Sequence, residues 1–294
     1  MKPASFDYVR AESIPHAVEA LAAAGGDGKI LAGGQSLMPM MNFRLVQPSV
    51  IVDINQVHGL ESIERRPGAL HIGALVRHRM TAENELVARH LPVLRAAMAH
   101  VAHLTIRNRG TFCGSVCHAD PAAEMPMMMM LLDGTLHVAS VRGVRTLAAR
   151  GFFLGSLVTA LEPDEMVTGI DLPLPSPRVG WGFQEFARRH GDYALAAVAV
   201  LMDKEDGKAR NVRIAMMGVG DTPLRLPSVE AAVEAREANP TVIAKAVEAL
   251  RDSITPSSDL NASSDYRRHL AGVLAQRALA EAWTRASRAQ ETVA

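Results

Sequence analysis

The residues whose types and spacing suit chemistry lie in two short segments far apart in the chain. The first is Leu31-Ala32-Gly33-Gly34-Gln35-Ser36-Leu37 and the second is Thr111-Phe112-Cys113-Gly114-Ser115. Glycine lets a backbone turn through positive φ and aim successive N–H groups into one concavity, which suits the two charges of a pyrophosphate without any lysine. Two such loops can grip one dinucleotide from both sides. No G-x-G-x-x-G opens a helix, so the fingerprint of a doubly wound dinucleotide fold is absent. A bare glycine pair is otherwise a turn, as Gly25-Gly26 is read to be.

Polar residues follow the second loop at His118, Asp120 and Glu124. Asp120-Pro121 fits an N-cap followed by proline at the first helical position, with Pro126 as a rival helix start. Glu124 stands four residues after Asp120, one too far for a capping box, which leaves its carboxylate for other work. His118 fits packing as well as ligand contact. Asp192-Tyr193 precedes an apolar strand, where an aromatic is most often core. No residue reads as a general acid, base or nucleophile, so no catalytic set is assigned. That pattern fits a protein whose chemistry belongs to a bound cofactor.

Cys113 and Cys117 are the only cysteines, too few for a disulfide framework or for the four thiolates of an iron–sulfur cluster. Their spacing beside His118 lacks a fourth ligand for zinc, and no metal site is assigned. With 294 residues, 48% hydrophobic and 21% charged, the chain is long enough for two domains. Lys plus Arg and Asp plus Glu balance at 31 each, which leaves no global field to draw the protein to nucleic acid or an acidic membrane. No apolar run reaches the roughly 18–20 residues of a membrane span, and MKPASFDYVR lacks the apolar stretch of a signal peptide. The expected location is cytoplasmic.

The elements that must position these residues are α+β in character. Helical spacing from Ser13 to Ala24, with Ser13 as N-cap, stops at Gly25-Gly26. Lys29 to Leu31 reads as a strand running into the first loop, and Pro48 to Ile54 and Ala69 to Ile72 as further strands, the last after a Pro67-Gly68 turn. Thr81 is expected to cap a helix beginning Ala82-Glu83, and Leu91 to Val101 forms another. Thr135 to Val141 is β-like. Leu172 to Pro177 breaks all periodicity and marks a domain boundary. Beyond it, strands are expected over Gly182 to Ala187, Ala194 to Met202 and Val212 to Val219, with a hairpin turn at Asp206-Gly207. Helices are expected over Ser228 to Ala238, Pro240 to Arg251 and Asp265 to Arg288. The Met127 to Met130 run reads as core filling.

Taken in order, three stretches resemble the FAD-binding medium subunits of molybdenum hydroxylases, the carbon monoxide dehydrogenase and xanthine dehydrogenase type. Ile30 to Pro39 with Asn42-Phe43-Arg44-Leu45 is similar to their first flavin-pyrophosphate loop. Thr105 to Thr111 leading into Gly114-Ser115 and His118-Ala119-Asp120-Pro121 is similar to their second. Arg188 to Ala194 resembles the segment over the flavin ring. One departure stands out, because the family commonly has two adjacent glycines where this chain has Cys113-Gly114; the thiol is thereby expected near the flavin.

The resemblance implies an α+β fold in which two small α/β subdomains form a two-part FAD-binding domain, followed by a C-terminal domain with a three-stranded antiparallel sheet and helices. The corresponding boundaries are 1–176, with subdomains about 1–56 and 57–176, and 177–294. It implies FAD held by Leu31, Ala32, Gly33, Gly34, Gln35, Ser36, Leu37, Thr111, Gly114, Ser115, His118, Asp120, Glu124, Asp192 and Tyr193, with Asn42 and Arg44 bracing the first loop. Asp120 and Glu124 would lie along the ribityl chain and ring edge, and Tyr193 over the ring. It further implies a large molybdenum-binding partner and a small partner with two [2Fe-2S] clusters, in a dimer of heterotrimers. A stand-alone FAD-dependent oxidoreductase of the wider two-subdomain class is the alternative.

Overall fold

The structure, a computed structural model, describes residues 2–291. In chain order the first elements are β1 (Asp7–Arg10), α1 (Ile14–Ala23), β2 (Gly28–Leu31), α2 (Leu37–Asn42), β3 (Val50–Asp53), β4 (Ile63–Arg66), β5 (Ala69–Gly73) and α3 (His78–Glu83). They continue as α4 (Glu85–His90), α5 (Pro92–Met98), α6 (Leu104–Arg107), α7 (Phe112–His118), α8 (Glu124–Leu131), β6 (Thr135–Ser140) and β7 (Gly143–Ala148). Next come β8 (Phe153–Gly155), β9 (Val158–Thr159), β10 (Met166–Pro173), β11 (Gly180–Ala187), β12 (Ala194–Glu205), β13 (Lys208–Met217) and β14 (Leu224–Arg225). Three helices finish the described chain: α9 (Pro227–Val233), α10 (Pro240–Ser253) and α11 (Ser264–Glu291).

The chain divides into two compact units. The first takes the residues through Leu86, His103–Ala119 and Asp133–Pro173; the second takes Val87–Ala102, Asp120–Leu132 and the chain from Leu174 onward.

In the first unit, β1, β3 and β2 form a parallel sheet in that spatial order. β1 has no apolar run and no alternation to announce it; its burial pattern is almost wholly exposed, and pairing with the buried β3 makes it a strand. The helix before β2 starts as expected, with the Ser13 hydroxyl accepting from the His16 N–H at 3.3 Å. A second sheet of the same unit is antiparallel, ordered β4-β5-β10-β6-β7. One expectation fails here: Thr81 lies inside α3, where its hydroxyl donates to the Arg77 carbonyl oxygen at 3.3 Å, so the helix begins at His78 and Thr81 caps nothing.

The second unit is built on an antiparallel sheet ordered β11-β12-β13-β14. The two-residue β14 adds a short edge to the three strands expected. β12 is buried from Ala194 to Met202 on both faces, which is why its sequence is apolar without alternation. Asp206 and Gly207 close the β12–β13 hairpin at φ 50° and 72°, the two positive values a primed turn needs. Met125, Met127, Met128 and Met129 of α8 are fully buried, as core filling requires. The helix expected over Ser228 to Ala238 stops at Val233, and Ala235 turns left-handed at φ 61°. Among the described residues no helix is long and apolar enough to cross a membrane.

Candidate functional site

The first loop leaves β2 at Leu31 and enters α2 at Leu37. Gly34 sits at φ 71°, the left-handed conformation that lets the chain reverse there. The backbone N–H groups of Gly33, Gly34, Gln35 and Ser36 meet no protein acceptor among the described residues. Four consecutive donors on a turning backbone make an anion nest. The Gln35 side-chain amide folds back to donate to the Gly33 carbonyl oxygen at 3.0 Å, so it stiffens the loop.

The second segment is not the loop the sequence suggests. Residues Phe112–His118 are α7, and Thr111 is its N-cap, accepting from the Gly114 N–H at 3.0 Å while its backbone carbonyl accepts from Ser115 N–H at 3.1 Å. Gly114 is therefore a helical residue whose own donor is satisfied. A Cβ there would stand 2.5 Å from the Thr111 hydroxyl oxygen, so a larger residue would oblige the capping side chain to shift. The backbone donations expected of Gly114 and Ser115 are thus used inside the helix, and the Ser115 hydroxyl is what remains for a ligand. His118 occupies the last turn of α7 and Ala119 ends it at φ 54°.

Cys113 corrects a second expectation. Its side chain is 2% exposed and its Sγ points at the carbonyl oxygens of Ile72 and Gly73, each at 3.7 Å, so it packs on β5 instead of facing a ligand. Burial holds the Cys113 thiol well above its usual range and pushes Cys117 up to about 12. Burial thus disfavours the thiolate form of both, the form that acts as nucleophile or metal ligand.

The fold brings the two segments together, and the residues that do so carry no signal in the sequence. A Cβ on Gly33 would run into the Arg109 carbonyl and stand 2.7 Å from the Gly110 Cα, so the loops touch backbone to backbone. Arg77 donates through Nη1 to the Arg109 carbonyl oxygen at 2.5 Å and through Nη2 to Asn55 Oδ1 at 2.6 Å. Asn55 Nδ2 in turn donates to the Ala32 carbonyl oxygen at 2.9 Å and to Asp53 Oδ1 at 2.6 Å. One guanidinium thereby ties both segments to the end of β3. His78 adds a buried ring against Gly110, whose carbonyl oxygen accepts from the His78 N–H at 2.9 Å; burial first, then the Arg107 charge, pushes its pKa down to about 4. Asn42 and Arg44 do not share in this bracing: Asn42 ends α2, and among the described residues the Arg44 side chain reaches only the Lys2 carbonyl oxygen, at 3.5 Å.

The remaining candidates lie in the second unit. Asp120 caps no helix; its Oδ1 accepts from the Ala122 N–H at 2.8 Å in a local turn, and α8 begins at Glu124 behind the N-cap Ala123. Tyr193 is 65% exposed, not core, with its hydroxyl on the side of Asp120 and Glu124. Burial of its hydroxyl, followed by the charges of Asp120 and Glu124, raises its pKa. Tyr193 and Asp192 also line an open hollow of about 280 Å³ with Arg188, Gly191, Leu195 and Asn261.

Beside them lies a carboxyl that the sequence does not announce. Glu185 of β11 has a side chain only 3% exposed, its Oε2 has no partner, and Oε1 is 3.7 Å from His100 Nδ1. Burial, then the Glu124 charge, pushes its pKa up to about 8. His100 is pushed down by its own burial and then by His190, whose ring stacks on it at 6.4 Å. No spacing rule brings residues 100, 124, 185 and 190 together; the sheet does.

A single anion nest braced against a capped helix, beside an antiparallel domain, suits a flavoprotein that holds a dinucleotide. Residues 4–175 match the family described as the FAD binding domain in molybdopterin dehydrogenase, and residues 181–282 match the CO dehydrogenase flavoprotein C-terminal domain. The chain is 39% identical over 295 residues to the 6-hydroxypseudooxynicotine dehydrogenase complex subunit alpha of Paenarthrobacter nicotinovorans, covering 100% of this chain and 99% of the relative. It is 34% identical to the carbon monoxide dehydrogenase medium chain of Hydrogenophaga pseudoflava, covering 97% and 99%. Among solved structures, carbon monoxide dehydrogenase from Hydrogenophaga pseudoflava superposes with a TM-score of 0.94 at 35% identity, over 97% of this chain and 99% of that one. Quinoline 2-oxidoreductase from Pseudomonas putida 86 superposes with a TM-score of 0.93 at 37% identity, over 97% and 99%. The chain belongs to the family of FAD-binding medium subunits of molybdenum hydroxylases, and is an oxidoreductase subunit.

Proposed function

We propose that this chain is the electron-transfer subunit of a heteromeric molybdenum hydroxylase, taking electrons from [2Fe-2S] clusters of a small partner and passing them to an external acceptor. Substrate would be oxidised at a molybdenum-pterin cofactor in a large partner, and the assembly would be a dimer of heterotrimers. Residues 1–176 would form the FAD-binding domain, with subdomains about 1–56 and 57–176, and 177–294 the C-terminal domain. The observation that carries the reading is the row of N–H groups at Gly33, Gly34, Gln35 and Ser36, held against Arg109 and Gly110 by the Arg77–Asn55 link.

Those donors would face the pyrophosphate, with Leu31, Ala32 and Leu37 framing the loop, and the Ser115 hydroxyl and Thr111 cap completing the grip. His118, Asp120, Glu124, Asp192 and Tyr193 would serve the ribityl chain and ring. When bound, FAD supplies a carrier that takes up electrons one at a time and releases them singly or in pairs. The chain's own residues would bind and orient it.

Purification with the partner genes coexpressed tests the reading. The complex should contain one noncovalent FAD per copy of this chain, released into the supernatant by acid, together with iron, sulfide and molybdenum. FAD in a chain that never associates with metal-bearing partners would favour the stand-alone oxidoreductase, and FMN or flavin retained in the acid pellet would sink both.

A further inference from the structure

A second cluster of ligating side chains stands on the antiparallel sheet of the first unit, apart in sequence from every residue assigned to flavin. Asp171 lies on β10, directly opposite His71 on β5, and two residues along from Gly169, which is opposite His137 on β6. Antiparallel partners and residues two apart share a face, so the three side chains rise from one face of three adjacent strands. His71 Nδ1 is 2.6 Å from Asp171 Oδ1, and His137 Nε2 is 2.8 Å from Asp171 Oδ2. The rings meet edge to face with centroids 5.7 Å apart, and the donor atoms all lie within 4.8 Å of one another.

Gly169 makes this possible. A Cβ there would stand 2.5 Å from His71 Cε1 and 2.7 Å from its Nε2, so only glycine lets the ring lie across the strand toward Asp171. The side chains of His71, His137 and Asp171 are 12%, 33% and 23% exposed, half-sheltered but open to water on one side.

We propose that His71, His137 and Asp171 form a binding site for a divalent cation of the zinc class, liganded by His71 Nδ1, His137 Nε2 and one Asp171 oxygen, with water in the fourth position. Two imidazoles and a carboxylate with one open position are a set that zinc accepts, and cobalt(II) can stand in for it. Bonds of about 2.1 Å in a tetrahedron put ligand atoms roughly 3.4 Å apart, so the carboxylate contacts must open by under about 1 Å and the widest donor pair must close by up to about 1.4 Å. Both changes are of a size that rotation of the rings and of the carboxylate would have to supply. Three ligands on hydrogen-bonded strands are held by the sheet itself, which is the precondition for a rigid site. The ion would tie β5, β10 and β6 together at their centre.

One neighbour opposes it. Arg66 Nη1 is 3.3 Å from Asp171 Oδ1, a competing cation on a side chain 41% exposed that can swing into water. Its presence implies an exchangeable ion instead of a permanently locked one.

The test uses the full chain, stripped with a chelator and titrated with cobalt(II), followed by its visible ligand-field absorption, then with zinc. One cobalt per chain with the intensity of a tetrahedral site, displaced by zinc, is expected. His137→Ala and Asp171→Asn should each weaken binding about tenfold or more, and Arg66→Gln should strengthen it. Zinc should also raise the melting temperature of the parent chain and leave that of His137→Ala unmoved, a readout that stands even where Asp171→Asn folds poorly. The absence of a tetrahedral cobalt spectrum, or a spectrum unchanged in His137→Ala and Asp171→Asn, would overturn the proposal.

Discussion

Gly33 and Arg109 touch backbone to backbone, and the space between them admits no Cβ. This contact explains why the first loop carries two glycines with separate tasks: Gly33 permits the approach of the second segment, and Gly34 at φ 71° permits the turn. Gly33→Ala should force the segments apart and cost about 1–3 kcal/mol of overpacking, with loss of most bound flavin. Gly34→Ala should cost about 1–2 kcal/mol of backbone strain and weaken flavin less. Flavin content per chain after gel filtration measures both; a Gly33→Ala variant that kept full flavin would mean that the loop contact is incidental.

Arg77 is expected to matter as much as any loop residue. Its two hydrogen bonds, to Arg109 and Asn55, need a planar fork. Arg77→Lys replaces two spread nitrogens with a single ammonium that must serve both acceptors from one point, so it should behave nearly as badly as Arg77→Met, each losing about 1.5–3 kcal/mol. A lysine variant with native flavin affinity by fluorescence quenching would show that charge, not geometry, is what this position supplies.

How much of this is legible in the sequence depends on distance along the chain. The first loop can be read because a strand, two glycines and a helix follow one another, all set by local geometry. Asp206-Gly207 is legible for the same reason. Thr111 to Ser115 misleads because its glycine looks like a loop glycine, whereas it is a helical residue cleared for an N-cap hydroxyl. Arg77, Asn55, His78 and Glu185 give no signal at all, since their partners are chosen by sheet topology and tertiary packing. β1 escapes notice because exposed charged residues become a strand only through their neighbour β3.

The buried Cys113 reverses the natural guess about this position. Restoring the family's glycine would delete a side chain packed on β5 and place a second glycine in the first turns of α7. Cys113→Gly should destabilise by about 2 kcal/mol from cavity and helix propensity together, and Cys113→Ala by less. Urea midpoints decide this; a Cys113→Gly variant as stable as the parent would show that the site collapses freely.

Glu185 should make stability fall with rising pH. The folded chain holds its proton up to about pH 8, whereas the ordinary value is 4.5. Its contribution is therefore fully present below 4.5 and is lost as pH rises toward 8, at up to about 1.4 kcal/mol per pH unit. Glu185→Gln keeps the shape and removes the titration, so its stability profile over that window should be flatter than the parent's. His78 titrates in both proteins, and its opposite effect, loss of stability as pH falls, cancels in the difference; His100 stands 3.7 Å from Glu185 and does not cancel, so the comparison is made with His100→Asn in both proteins. Parallel profiles from urea melts would show that Glu185 is ionised in the folded chain.

Tyr193 carries the last prediction, which rests on the placement of flavin proposed above. Tyr193 is 65% exposed, so an aromatic face stands open, while its hydroxyl feels the charges of Asp120 and Glu124. A core aromatic would be buried. In the assembled complex, Tyr193→Phe keeps the face and loses the hydroxyl, and Tyr193→Ala loses both. If the face shields the ring where an acceptor approaches, Tyr193→Ala should change flavin reoxidation severalfold while leaving substrate-driven reduction of the molybdenum and iron–sulfur centres intact; Tyr193→Phe should lie between. Stopped-flow spectra that separate cluster bleaching from flavin reduction resolve these steps. Slower reduction of the molybdenum centre with unaltered flavin reoxidation would instead place Tyr193 at a contact between subunits, because under the proposed division of labour only a disturbed assembly can slow that step.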